Sequence, residues 1–275
     1  MAAGWSQGLP EPRREGDNQS SRHRSPGASV SAYDASRAPQ AVAVNNPHLA
    51  RIASATERLL VTVSGLDDVA VAEPSLLPGW DRALLITHLA ANADGVRRAV
   101  EAAGRGKIGE QYPGGRPARD AEIEAGRGRP ALELERRLCT ACDQLAGALV
   151  SAREEVWDAP ALTTHGEVKV GPGLVVGRLR EVEVHHVDLN CAYGPEDWPF
   201  AWVVEEMDRA MLGLPSRLPP DTAVVLAATD TDQHWVAGSG EAVEISGTTA
   251  ALFAWVTGRA SVVGDQECPP LKPWS

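Results

Sequence analysis

The sequence predicts an α plus α+β protein, in which a bundle of four long amphipathic helices precedes a small mixed unit. Two observations lead there. From about residue 46 to 192 the apolar residues recur at helical spacing in four successive segments. Beyond about residue 220 the period shortens: DTAVVLAATD, QHWVAG and EAVEISG alternate or run apolar over strand lengths, separated by glycine-containing turns.

Residues 1–44 are rich in Ser, Arg, Pro, Gly and Ala and have no apolar period. Such a composition marks a disordered tail, expected to carry no chemistry. Asn46-Pro47 is a helix start, with Asn as N-cap and Pro in the first helical position. Leu49, Ile52, Leu59, Leu60 and Val63 then form a stripe to about residue 64. After LLPGW, Asp81 can cap a second helix that runs through Leu84, Leu85, His88, Leu89 and Val96 to Gly104. A Gly- and Arg-rich connector, residues 104–129, holds one short helix in PARDAEIEAG. Pro130 opens a third long helix, with Leu134, Leu138, Leu145 and Leu149 facing inward, ending near Trp157. A fourth spans about 173–192, with Gly194 as its stop. These four helices define the bundle, residues 45–198. In the second unit, residues 199–275, PFAWVVEEMDRAMLGL is helical and the three short stretches are expected to form a β-meander. Thr248 or Thr249 caps a last helix ending at Gly258, laid on one face of the sheet.

Composition narrows the function classes. A net charge of −11 with no sizeable basic face argues against nucleic acid as a partner. No apolar run approaches the roughly eighteen residues of a membrane span. The start of the chain lacks the apolar core of a signal peptide, so a cytoplasmic location and reduced thiols are expected. Cys139 and Cys142 form a CxxC inside a helical pattern with no second pair, and plain packing is the favoured reading. A monomer acting on a small molecule is the expected form.

The stretch LREVEVHHVDLNCAYG, residues 179–194, is too polar for an ordinary buried helix. On a helix Glu181, His185 and Asp188 share one face, with Leu179, Val182, His186 and Leu189 on the neighbouring flank. Two acids and an imidazole beside an apolar stripe are costly to bury unless something neutralises them. Glu181 and His185, at i and i+4, lie about 6 Å apart along the axis and can converge on one cation. His88, behind Leu84 and Leu85 on the core side of the second helix, supplies a third donor. Two His and one Glu leave a coordination position open, the pattern of a catalytic rather than a structural zinc site. Asp188 can orient a ligand imidazole or bind backbone, Arg178 or Arg180 can satisfy Glu181, and His186 points away and packs. For Arg116 and Arg119 in the connector, exposed loop charge outweighs contact with a ligand.

ITHLAANAD, YPGGRPARDAEIEAGRGRP, RLREVEVHHVDLNCAYGPEDWP and ALFAWVTGRA together resemble the mycothiol-dependent maleylpyruvate isomerase family, from about residue 46 to the end. The resemblance implies a DinB-like metal-binding four-helix domain followed by a smaller sterol-carrier-like domain. It also implies zinc held by His88, Glu181 and His185, mycothiol as thiol cofactor, and Arg259 as a catalytic arginine holding a substrate carboxylate or the developing enolate. The implied chemistry is addition of a zinc-held thiolate to the cis double bond of maleylpyruvate, rotation in the enolate, and elimination to fumarylpyruvate. Asn190 and Cys191 in the LNCAYG turn, and the abundance of Arg in the connector, depart from the pattern. A mycothiol S-transferase that detoxifies electrophiles and a non-enzymatic metal- or ligand-binding bundle are the competing functions. Product analysis would separate the first, and Arg259→Ala the second.

Overall fold

The computed structural model describes residues 47–153, 156, 160–162 and 168–273. The expected tail and Trp157 lie outside them. Four long helices carry the first part of the chain: α1 (Pro47–Ser64), α3 (Arg82–Ala103), α5 (Ala131–Ser151) and α6 (Gly171–Asp188), with a single turn α2 (Asp68–Val71) before α3. α3 packs on α5 and α6, and α1 packs on the same two, so the four close a ring. Each contributes its apolar stripe to one core: Ile52, Leu59, Leu60 and Val63 from α1, Leu85 and Leu89 from α3, Leu134, Leu138 and Leu145 from α5, and Val182 from α6. Asp81 caps α3 as expected, its carboxylate accepting from the Leu84 amide.

Two helix ends differ from expectation. α5 stops at Ser151 because the chain turns extended at Ala152 (ψ 130°), which lets Val156 return to the core. α6 stops at Asp188, and its terminator is Asn190 (φ 54°), not Gly194, which is extended at φ −117°. Asn tolerates the left-handed conformation. The carbonyls left open there are taken up by Arg82, whose Nε donates to Leu189 O (2.6 Å) and Nη2 to Asn190 O (2.7 Å). Arg82 thereby ties the start of α3 to the end of α6.

The connector between α3 and α5 folds back over α3. It carries β1 (Gly109–Glu110) and α4 (Gly115–Glu124). Gly109 lies so near α3 that a Cβ there would stand 2.5 Å from Ala99 Cα. β1 pairs in parallel with β2 (Pro160–Leu162), which pairs antiparallel with β3 (Val168–Val170).

The rest of the chain comprises α7 (Phe200–Gly213), β4 (Thr222–Ala228), β5 (His234–Gly238), β6 (Glu241–Gly247), α8 (Thr249–Val256), β7 (Val262–Val263) and β8 (Gln266–Glu267). The expected meander is not formed. The strand order is β5-β4-β6, with β5 antiparallel and β6 parallel to the central β4. Two residues, Ser239 and Gly240, carry the chain from β5 across the start of β4 to β6. Glycine permits the crossing: a Cβ on Gly238 (φ 83°) would lie 2.3 Å from Thr222 O, and one on Gly240 (φ 112°) 2.1 Å from Asp221 O. α8, capped by the Thr248 hydroxyl, packs on β4, β6 and α7. Trp198, Trp202 and Phe253 meet edge to face at 5.2–5.9 Å and join α7 and α8 to the helical core.

Candidate metal centre

α3 and α6 are fastened on both sides of the point where they face each other. Arg82 closes one end. Toward the other, the buried Arg178 donates from Nη1 to Leu89 O (3.0 Å) and Asn92 Oδ1 (2.9 Å), and from Nη2 to the Cys142 sulfur. Between these ties the structure brings together His88, Glu181 and His185, each offering one donor atom, all within 4.8 Å of one another. His88 Nε2 lies 2.9 Å from Glu181 Oε2, and His185 Nε2 lies 3.4 Å from the same oxygen. The two imidazoles stand nearly perpendicular, 4.9 Å between centroids. Donors bound about 2 Å from a shared zinc in a tetrahedron sit roughly 3.3 Å apart. The cluster therefore needs little rearrangement to accept such an ion. Side-chain exposure climbs from 5% at His88 through 17% at His185 to 34% at Glu181, so the cluster opens to solvent on the Glu181 side.

The electrostatics show what the cluster is without a metal. Burial lowers the His88 pKa, favouring a neutral ring. Burial would also lower His185, but its bonds to Asp188 and Glu181 outweigh that and raise it to about 9. Burial would raise Glu181, yet the His185 and His88 contacts hold its carboxyl well below the usual range. A carboxylate and an imidazolium thus face one another where a divalent cation could replace the proton.

Asp188 orients His185. Its Oδ2 accepts from His185 Nδ1 at 2.8 Å, which leaves Nε2 aimed at Glu181. Asp188 is itself held by Arg259, whose Nε donates to Oδ1 (3.0 Å) and Nη2 to Oδ2 (2.6 Å), while Nη1 donates to Thr257 O (2.6 Å). Arg259 reaches α6 because Gly258 (φ 80°) reverses the chain after α8. The fork expected to face a substrate carboxylate thus faces an internal one.

Arg178 and Arg180 are engaged elsewhere than the sequence suggested: Arg178 as above, Arg180 with Glu206 on α7. His186 packs as expected, stacked on Tyr193 at 3.8 Å and bonded to Thr62 Oγ1. Sequence reasoning missed one residue at the site and set a second aside. Trp80 packs edge-on to His88 at 5.7 Å. Arg119 in α4, read from the sequence as loop charge, brings Nη2 to 3.2 Å from His88 Nδ1. Only the folding of the connector over α3 could reveal that contact. Arg116 remains exposed beside Asp120.

Fold and cluster define a class: helix-rich proteins in which two long helices present imidazole and carboxylate donors to one point. The particular family follows from comparison. The sequence profile of the mycothiol maleylpyruvate isomerase N-terminal domain matches residues 52–190, which hold all three donors, and the chain belongs to that family. Its fold is similar to the crystal structure of the mycothiol-dependent maleylpyruvate isomerase, with a TM-score of 0.75 and 24% identity over 82% of this chain and 95% of that one. A histidine-to-alanine mutant of that isomerase matches with the same values. No curated protein matches significantly.

Proposed function

We propose that this chain is a mycothiol-dependent, zinc-assisted cis–trans isomerase that converts maleylpyruvate, or a close relative, to fumarylpyruvate. The observation that carries the reading is the three-donor cluster inside the family-matched segment, open on one side. Two imidazoles and one carboxylate suit zinc with a position left for sulfur. Zinc there would keep a bound thiol deprotonated at neutral pH. His88 and His185 present Nε2, Asp188 fixes the His185 ring, and Arg259 fixes Asp188. The solvent-facing Glu181 side gives a thiol its approach, and the Trp80 ring packs edge-on to His88. None of the cysteines is a cluster donor, and burial raises the thiol pKa of each, which leaves the nucleophile to the cofactor. The ring of α1, α3, α5 and α6 supports reading residues 45–198 as a DinB-like four-helix bundle. The three-stranded sheet with α8 packed on it supports a sterol-carrier-like unit over 199–275.

The test is an absorbance assay with maleylpyruvate, with and without mycothiol, on protein of known metal content. Turnover should need both thiol and metal, and His88→Ala and His185→Ala should lose about one zinc per chain. Robust turnover in thiol-free buffer, or full zinc in those variants, would overturn the proposal.

A further inference from the structure

We infer that Arg119 and Tyr112, both from the connector between α3 and α5, form a carboxylate-binding subsite beside the donor cluster, with a cis-dicarboxylate substrate as its ligand. The inference rests on the isomerase reading for the identity of that ligand, and on four observations for the subsite itself.

Arg119 is not a solvated charge. Its side chain is 20% exposed, against 69% for Arg116 less than one turn earlier. The guanidinium lies 5.8 Å from the centroid of the Tyr112 ring and 3.2 Å from His88 Nδ1. Among the described residues its one carboxylate contact, Nη1 to Asp120 Oδ1 at 3.0 Å, is with an exposed neighbour and holds it weakly.

The guanidinium approaches the cluster through the one imidazole nitrogen that the donor set does not use. Arg119 Nη2 lies 3.2 Å from His88 Nδ1, while His88 Nε2 is turned to Glu181 Oε2. A guanidinium only donates, and an imidazole nitrogen is a weaker acceptor for it than a carboxylate. Arg119 is thus set at the rim of the cluster with a partner that a carboxylate can displace.

Tyr112 offers a second donor. The residue is buried, and its hydroxyl makes no hydrogen bond of normal geometry, with only the Arg119 guanidinium acting on it among the described residues. Burial, followed by the charge of Glu181, pushes the phenol up to about 12, so it stays protonated and able to donate. A buried hydroxyl so poorly satisfied is unusual, and an acceptor atom on a ligand would take its proton.

The other arginine at the site has its Nε–Nη2 fork on Asp188. A planar guanidinium is well matched to carboxylate, and Arg119, held only by an exposed acid and a ring nitrogen, is placed to take one.

The experiment uses zinc-loaded full-length protein and maleate as probe, followed by calorimetry at low ionic strength, with zinc measured in the same samples. Arg119→Gln should weaken maleate binding about tenfold or more, with Arg119→Lys intermediate and zinc content unchanged in both. In turnover the loss should appear chiefly in KM. Tyr112→Phe should bind maleate several-fold more weakly, with zinc content unchanged. Wild-type maleate affinity in Arg119→Gln would overturn the inference. So would loss of zinc from that variant, or an active wild-type isomerase with no saturable maleate binding. Arg119-dependent maleate binding in a protein that lacks mycothiol-dependent turnover would support the subsite and sink the isomerase reading instead.

Discussion

Replacing Asp188 with Asn isolates the electrostatic role of this residue, because the substitution keeps shape and leaves an oxygen for His185 Nδ1. What it removes is the charge facing Arg259 and, in metal-free protein, the His185 imidazolium. Asp188 is 1% and Arg259 11% exposed in their side chains, so the pair is shielded from water. Breaking a buried pair by neutralising one member costs about 3–5 kcal/mol. In a chain of this size each kcal/mol lowers Tm by roughly 2–4 °C, so the metal-free variant should melt about 6–20 °C below wild type. Zinc affinity should fall about 10–100-fold, the usual effect of losing the carboxylate behind a ligand imidazole. Scanning calorimetry reads the first quantity and competition with a chromogenic chelator the second. Arg259→Gln should show a smaller zinc defect, since Asp188 keeps its bond to His185, and the double variant should be clearly non-additive. If Asp188→Asn bound zinc within twofold of wild type and melted within a degree or two of it, the chain from Arg259 through Asp188 to His185 would carry no weight.

Three further outcomes follow from the same geometry. In metal-free protein His185 is protonated at neutral pH, its pKa raised to about 9 from an ordinary 6.5, so zinc binding near pH 7.5 should release close to one proton and tighten as pH rises toward 9. Because the folded value is the raised one, the stabilisation from His185 is complete below about 6.5 and lost as pH climbs through 9; calorimetry in buffers of different ionisation enthalpy and pH-dependent melting check both, and pH-independent zinc affinity between 7 and 9 would refute the assignment. Gly109→Ala forces a Cβ against the backbone of α3 and should destabilise by about 1–3 kcal/mol or more, measured by urea unfolding. Tyr193→Phe removes a 2.6 Å hydrogen bond to the buried carboxylate of Glu183, whose pKa burial already raises, and should cost about 1.5–3 kcal/mol by the same measurement.

The parts legible in the sequence are those governed by local geometry. Pro47 and the Asp81 cap mark helix starts through their own backbone and side-chain chemistry. Glu181 and His185 must share a helix face because they are four residues apart, and His88 stood out as an imidazole among leucines. The parts that were not legible depend on distant segments. Asn190 ends α6 with its carbonyl held by Arg82, more than a hundred residues earlier. The parallel β4–β6 pairing looks the same as a meander in a hydrophobic pattern, and only the space at Gly238 and Gly240 reveals the crossing. Arg119 reads as one charge among many until the connector folds over α3.

The bond from Arg259 to Asp188 has a consequence for how the chain can be divided. A fragment ending near residue 198 would retain every donor atom yet lose the counter-ion that steadies one of them, delivered by a loop that begins after Gly258. Removing that loop should therefore leave metal capture loose and the His185 imidazole wandering, so any replacement for residues 199–275 must bring its own cation to the same spot.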